Sequence, residues 1–154
     1  MRILGIDPGS AITGYALVDF ENDNITLVAS GSIQTDKKSN KRLFELYEDM
    51  STIVKQYEPD CASIEKLFFF KNQKTVIDVA QSRGAILTVL EKFDIPFYEY
   101  TPLEVKQTLT GYGRADKKEV ERMVKIALHT ENLPKLDDTV DAIAIAISHS
   151  RSLK

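Results

Sequence analysis

Four acidic residues stand beside apolar sequence, where a charged group is unusual. They are Asp7, Glu65, Asp138 and Asp141. Asp7 follows an apolar run that ends at Ile6, and Glu65 follows Ile64 in the same way. A carboxylate in such surroundings loses hydration, which costs free energy unless a positive charge compensates it. A bound divalent cation would provide that compensation.

The four acids also have the chemistry of a particular kind of metal site. Asp138 and Asp141 are three residues apart and therefore share one face of a helix. Oxygen ligands without thiolate or imidazole favour Mg²⁺ or Mn²⁺ over zinc. Two such ions, roughly 3.5–4 Å apart, can hold both the attacking water and the leaving oxygen of a phosphodiester. The spacing therefore predicts a catalytic site for two Mg²⁺ ions, with Mn²⁺ as a substitute.

Each acid also has a purely structural interpretation. Asp7 precedes Pro8 and Gly9 in a turn, Glu65 ends a strand, and acids near Asp138 suit a helix N-terminus. This interpretation does not explain Asp141, which lies inside a helix otherwise rich in Ala and Ile. We therefore favour the metal site for all four acids, and we predict that the neighbouring Asp137 faces elsewhere and caps the helix.

The elements that must position these acids follow from hydrophobic periodicity. The pattern predicts strands over 2–6, 13–20 and 25–33 that are joined by short turns. The first three strands of the sheet should therefore be antiparallel. Helices over 41–57 and 72–93 alternate with strands over 61–65 and 96–100, which indicates parallel crossovers. Three helices follow, over 102–109, 116–129 and 137–150. We predict an α/β fold with a five-stranded mixed sheet flanked by helices, in which the first and fourth strands are neighbours and Asp7 and Glu65 share a crevice.

Composition limits the function further. The 154 residues are 43% apolar, which predicts one domain over 1–154. The net charge of −3 requires that any nucleic-acid contact come from a local basic patch. Cys61 is the one cysteine and cannot form a disulfide within the chain. No basic-then-apolar leader precedes the first strand. The apolar runs are too short to cross a bilayer. We therefore predict a cytoplasmic location.

Five sequence blocks carry a resemblance to a known family. They are Ile6-Asp7-Pro8-Gly9, Ile64-Glu65 with Phe68 and Lys71-Asn72, Tyr100-Thr101-Pro102 with Val105-Lys106, Gly111-Tyr112-Gly113-Arg114-Ala115-Asp116-Lys117, and Asp138-Thr139-Val140-Asp141-Ala142 with the run to His149. In this order and spacing they resemble the RuvC family of bacterial Holliday-junction resolvases over the whole chain. The resemblance implies an RNase H-like fold and places the four acids on the family's metal ligands.

The resemblance also implies an activity and its partners. The activity is Mg²⁺-dependent, symmetric nicking of two opposed strands at a four-way DNA junction, which leaves ligatable 5′-phosphate ends in recombination and DNA repair. The implied partners are a second copy of the chain and the branch-migration proteins RuvA and RuvB. The homodimer has independent support, because the helix over 72–93 is apolar on more than one side. Ala80 and Gly84 would allow the close approach of a second copy, and two-fold symmetry suits a junction.

Eight residues are predicted to contact DNA: Phe68, Phe69, Lys71, Arg83, Lys106, Arg114, Lys117 and Lys118. The resemblance places Lys106, Lys117 and Lys118 at positions that contact phosphates. Arg122 and Lys125 could enlarge this basic patch. It places Phe68 in the loop that meets unpaired bases, where stacking is worth roughly 1–3 kcal/mol per base. A solvated helix face remains the alternative for the lysines, and packing remains the alternative for Phe69.

Three other functions are compatible with parts of the pattern. The segment from Ile6 to Ala16 resembles the phosphate loop of actin-like and sugar-kinase ATPases, which need a second lobe and a longer chain. A junction-binding scaffold with weak cleavage would gain nothing from four clustered acids. An RNase H-like nuclease that processes structured RNA is nearer, although we find no match there to the Phe68 loop together with the lysine segments.

Overall fold

A five-stranded mixed sheet lies at the centre of the computed structural model, which describes residues 1–67 and 73–153. The strands are β1 (Arg2–Asp7), β2 (Ile12–Glu21), β3 (Asn24–Gln34), β4 (Cys61–Glu65) and β5 (Phe97–Tyr100). Their order is β3-β2-β1-β4-β5. β1 pairs antiparallel with β2 and parallel with β4, and β4 pairs parallel with β5. The predicted fold class is confirmed, as is the neighbouring position of the first and fourth strands.

Within the described residues, five helices cover the sheet: α1 (Arg42–Tyr57), α2 (Gln73–Lys92), α3 (Pro102–Thr110), α4 (Lys117–Leu128) and α5 (Asp137–Ser152). Local signals explain where two of them begin. Thr101 and Glu104 form a capping box before α3, with Pro102 in the first turn, and the Asp116 side chain accepts a hydrogen bond from the Glu119 amide before α4. The described helix ends lie within two residues of their predicted positions, whereas residue 72 lies outside the described part.

The two faces of the sheet carry separate apolar clusters because side chains alternate along a strand. Leu4, Ile6 and Ile64 face α1 and α2. On the other face α5 packs against β1 and β2, and Ile143 and Ile147 are fully buried there. Complete burial of such a side chain is worth about 1.5–3 kcal/mol. The buried cluster around Ile3 and Ala146 includes Cys61, so apolar packing holds α5 against the strands that carry the acids.

The predicted capping role of Asp137 is wrong. Asp137 is the first residue of α5, and the capping position belongs to Leu136, which makes no side-chain capping bond. The Asp137 carboxylate instead lies 2.6 Å from the Lys117 ammonium at the start of α4. The Asp137 carboxylate therefore pairs with the positive charge of Lys117 on α4 instead of accepting hydrogen bonds from the first amides of α5.

Within residues 1–67 and 73–153, no helix combines the length and apolar character needed to cross a membrane. The cytoplasmic location stays a prediction.

Candidate functional site

Three of the predicted acids meet where β1 ends and α5 begins. One carboxylate oxygen from each of Asp7, Asp138 and Asp141 lies within 4.8 Å of the other two. Asp7 is 8% exposed, Asp138 is half-buried and Asp141 is exposed. The cluster therefore has a buried floor at β1 and opens to solvent along α5.

Glu65 joins this cluster from the neighbouring strand. Ile6 and Ile64 are register partners across β1 and β4, so the next residues, Asp7 and Glu65, lie side by side. Their carboxyl groups are hydrogen-bonded to each other. The structure thus brings all four predicted acids together.

The electrostatics of the cluster favour a bound cation. Burial raises the pKa of Asp7 far above its usual range, and the hydrogen bond and negative charge of Glu65 raise it further. Burial and the charge of Glu65 also raise the pKa of Asp141 to about 6, while Lys117 acts in the opposite direction. With its pKa raised this far, the Asp7 carboxyl is protonated at neutral pH when no cation is bound. A divalent cation would displace that proton and neutralise the remaining charge.

The donor set fits such an ion. All its donors are carboxylate oxygens, which hard cations prefer at about 2.0–2.6 Å. Oxygens within 4.8 Å of one another can all contact one ion at those distances. Asp7, Asp138 and Asp141 would hold it, with Glu65 beside Asp7.

Direct backbone contact sets the height of α5 above the sheet. Gly14 is the register partner of Asp7, and a Cβ on Gly14 would lie 2.0 Å from the carbonyl oxygen of Asp138. A Cβ on Gly5 would lie 2.1 Å from the carbonyl oxygen of Ala142. The sequence analysis missed both glycines. A glycine inside a strand pattern is a sign of close backbone approach, and it could have identified them.

Two hydroxyl groups fix α5 along its length. The Thr139 hydroxyl donates to the carbonyl of Gly31 at 3.1 Å, and the Ser63 hydroxyl donates to the carbonyl of Ile145 at 3.2 Å. Both side chains are buried. These bonds link the helix to β3 and β4, and they help to keep Asp138 and Asp141 turned towards Asp7.

Arg42 secures the turn that follows Asp7. Its buried guanidinium donates to the carbonyl of Ser10 at 2.9 Å, to the hydroxyl of Ser82 at 2.7 Å and to Oε1 of Gln81 at 3.1 Å. One side chain therefore joins α1, α2 and the turn between β1 and β2. Sequence reasoning did not single it out, because a lone arginine at a helix start has no distinctive local pattern.

The far end of α5 holds a buried histidine beside β5. His149 Nδ1 lies 2.7 Å from the Tyr100 hydroxyl, and its ring stacks on Tyr98 with centroids 4.4 Å apart. Burial lowers the pKa of His149, which favours the neutral ring. Tyr100 is the register partner of Glu65. This contact therefore fixes the strand next to Glu65 against α5.

The predicted DNA contacts fall into three groups. Lys117 and Lys118 are exposed in the first turn of α4, and Lys117 forms an ion pair with Asp137. Arg114 is also exposed, whereas Lys106 is half-buried. Arg83 is ion-paired with Glu99 on β5 and is half-buried, so it is not free in solvent. Phe68, Phe69 and Lys71 lie outside the described residues.

Comparison with known proteins identifies the family of this chain. Residues 3–149 match the family model described as crossover junction endodeoxyribonuclease RuvC. The chain belongs to the RuvC family. A RuvC from Halothermothrix orenii is 48% identical over 156 residues, covering 100% of this chain and 94% of its own. The nuclease class predicted from the sequence is confirmed, and membership of the RuvC family implies the use of a divalent metal.

Solved RuvC structures agree with the fold. Thermus thermophilus RuvC superposes with a TM-score of 0.93 at 28% identity, covering 99% of this chain and 95% of that one. The same protein in complex with a Holliday junction substrate gives a TM-score of 0.93 at 28% identity, covering 99% of this chain and 94% of that one.

Proposed function

We propose that this chain, acting as a single nuclease domain over 1–154, resolves four-way DNA junctions by metal-dependent, paired nicking of opposed strands. The observation that carries the proposal is the convergence of four carboxylates from β1, β4 and α5, in a chain of the RuvC family. The complex of the Thermus thermophilus relative with a Holliday junction substrate supports the choice of DNA substrate.

We propose Mg²⁺ as the cofactor, with two ions present when DNA is bound. Asp7, Glu65, Asp138 and Asp141 would hold them. The ions would supply Lewis-acid neutralisation of charge at the scissile phosphate. The buried Asp7 carboxyl would lose its proton when a cation binds, and Asp141 is exposed to solvent where a substrate could reach it. None of the four acids needs to act as a nucleophile.

The basic residues near the cluster have a separate task. The chain carries a net charge of −3, so DNA must approach where positive charge is local. Lys106, Arg114, Lys117 and Lys118 would hold phosphates, and Lys117 would exchange Asp137 for a phosphate when DNA binds. Arg83 would have to give up Glu99 to do the same. The proposed stacking by Phe68 and Phe69 and the contact of Lys71 rest on the family resemblance.

We also propose a homodimer formed through α2. Ile77 is 65% exposed, and Ala80 and Gly84, three and seven residues later, are exposed on the same stripe. A Cβ on Gly84 would meet no atom of the described residues within 4 Å, which leaves room for a partner on this side of the helix. Sedimentation of Ile77→Asp should give a monomer where the parent chain gives a dimer. Docking of RuvA and RuvB stays a prediction.

The experiment that tests the function compares a synthetic four-way junction with a linear duplex of the same sequence. Each DNA is incubated with Mg²⁺ or with a chelator. We expect symmetric nicks on the junction alone and with metal alone. Binding without nicks would replace the proposal with a scaffold role. If the chain neither bound nor cut either DNA, structured RNA would be the next substrate to test.

A further inference from the structure

An exposed aromatic residue in the basic segment that precedes α4 has no role in the function described so far. Tyr112 is 58% exposed in the segment between α3 and α4. Leu103, on the first turn of α3, is 60% exposed. A Cβ on Gly113, the residue after Tyr112, would lie 3.2 Å from Leu103 Cγ, so the backbone next to Tyr112 lies against Leu103. We call these two exposed side chains the Tyr112 patch.

The backbone beneath the Tyr112 patch is held in place by hydrogen bonds. The Tyr112 amide donates to the Thr110 hydroxyl at 3.0 Å, and the Tyr112 carbonyl accepts from the Ala115 amide at 3.1 Å. The Gln107 side-chain amide donates to the carbonyl of Gly111 at 3.3 Å. Both polar backbone groups of Tyr112 are therefore satisfied. A ring presented on such a fixed segment loses little conformational freedom when a partner binds.

The segment that carries the Tyr112 patch leads directly into Lys117, which contacts the acidic end of α5. Five residues after Tyr112, the Lys117 ammonium lies 2.6 Å from Asp137, which immediately precedes Asp138. The charge of Lys117 is also felt by Asp141. A strand of nucleic acid that reaches the acidic cluster past α4 would therefore pass the Tyr112 patch.

Local charge indicates what kind of partner would cover the ring. The segment 106–118 contains four basic residues, Lys106, Arg114, Lys117 and Lys118, and one acid, Asp116. The carboxylate of Asp116 is already bonded to the Glu119 amide at 2.9 Å. This segment is positive although the whole chain carries a net charge of −3. An aromatic ring among basic side chains is the pattern that binds a single strand, with cations on phosphates and the ring on a sugar or base.

We propose that Tyr112, supported by Leu103, packs against the sugar and base of a nucleotide in the DNA strand that enters the acidic cluster. The inference rests on the proposed function and adds a contact to it. The ring supplies an apolar face, whereas Lys117 and Lys118 supply charge for phosphates. Removal of the ring should therefore weaken binding without changing the number of phosphates neutralised.

The test measures junction affinity over a range of salt concentrations for Tyr112→Ala, Tyr112→Phe and Lys118→Ala. Tyr112→Ala should weaken binding about five- to a hundredfold, with an unchanged slope of log affinity against log salt. Tyr112→Phe should bind like the parent chain. Lys118→Ala should reduce the slope by about 0.9. Phe44→Ala provides a matched control, because Phe44 is 61% exposed on α1, on the opposite face of the sheet.

A second measurement avoids substitution altogether. A junction carrying 5-iodouracil beside the cut site, irradiated in complex with the parent chain, should crosslink to Tyr112. Affinity of Tyr112→Ala within twofold of the parent chain, or crosslinks only elsewhere, would overturn the inference. So would a reduced salt slope in Tyr112→Ala. Failure of the proposed function is distinct from these outcomes, because it would appear in the parent chain itself, which would then fail to cut the junction.

Discussion

The two ends of α5 bury polar groups in opposite ways. At its first turn, Asp138 and Asp141 face Asp7, and burial together with like charges raises the pKa values of Asp7 and Asp141. At its last turns, His149 is neutral and bonded to the Tyr100 hydroxyl. The first arrangement is unfavourable without a cation. The second needs no cation, since His149 Nδ1 has a protein partner, although Nε2 is buried without one among the described residues. Polar groups that stay in electrostatic conflict indicate a binding site, whereas groups that satisfy each other indicate structure.

The largest expected effect on cleavage comes from removing one acid of the cluster at the N-terminal end of α5. Asp7→Asn keeps the shape of the side chain and removes a metal ligand, so cleavage of the junction should fall by more than about a hundredfold. Binding of the junction, measured by gel shift, should persist. Asp137→Asn is the matched control, since Asp137 pairs with Lys117 outside the cluster, and it should cut nearly as fast as the parent chain. An active Asp7→Asn variant would refute the assignment of the site.

A smaller effect should follow when α5 is lifted from the sheet. Gly14→Ala places a methyl group where the Asp138 carbonyl lies, so the helix must shift. Such overpacking costs about 1–3 kcal/mol, and cleavage should require more Mg²⁺. Urea unfolding and Mg²⁺ titration of cleavage measure the two effects. Gly84→Ala lies on the proposed dimer face of α2, where a Cβ would meet no described atom of its own chain within 4 Å, so it should leave the Mg²⁺ requirement unchanged. Equal behaviour of the two variants would contradict the proposed backbone contact.

The repulsion among the acids at the N-terminal end of α5 should also make the stability of the metal-free chain depend on pH. The pKa of Asp141 rises from 3.8 to about 6 on folding, and that of Asp7 rises further. The folded chain therefore holds more protons than the unfolded chain above pH 4. Its stability should fall as pH rises, by at most about 1.4 kcal/mol per pH unit for each group.

Urea unfolding in chelator at pH 5, 7 and 9 measures this dependence. The stability advantage of Asp7→Asn over the parent chain should widen with pH, because asparagine does not titrate. Addition of Mg²⁺ at pH 7 should stabilise the parent chain and have little effect on Asp7→Asn. An advantage that narrows as pH rises would show that Asp7 is ionised in the folded chain.

The smallest effect is expected at the other end of α5. Tyr100→Phe removes one hydrogen bond to His149, which should cost about 0.5–1.5 kcal/mol. The rate of cleavage and its Mg²⁺ requirement should stay the same, as measured beside the parent chain. A changed Mg²⁺ requirement would mean that the two ends of α5 are coupled through Tyr100 and its neighbour Glu65.

Much of this comparison was predictable from local patterns. The acids at the ends of β1 and β4 stood out because apolar strands precede them, and the spacing of Asp138 and Asp141 placed both on one helical face. Helix and strand bounds followed from periodicity and capping residues. Each of these signals lies within a few residues of the feature that it predicts.

The remainder depends on contacts between distant segments. Gly14 matters because the Asp138 carbonyl lies above it, 124 residues later in the chain. Asp137 has the composition of a cap, yet Lys117 on another helix binds it. Arg42 reaches Ser10 and Ser82 from a position with no local pattern. Contacts of this kind are set by tertiary packing, which overrides local propensity.

The burial of Cys61 in β4 has a consequence for redox chemistry. Burial raises the pKa of this thiol to about 11. Oxidants and alkylating reagents attack the thiolate, which is nearly absent at neutral pH under these conditions. Cys61 should therefore resist oxidation while the sheet is folded, and its labelling by a thiol reagent would report how often β4 separates from β1.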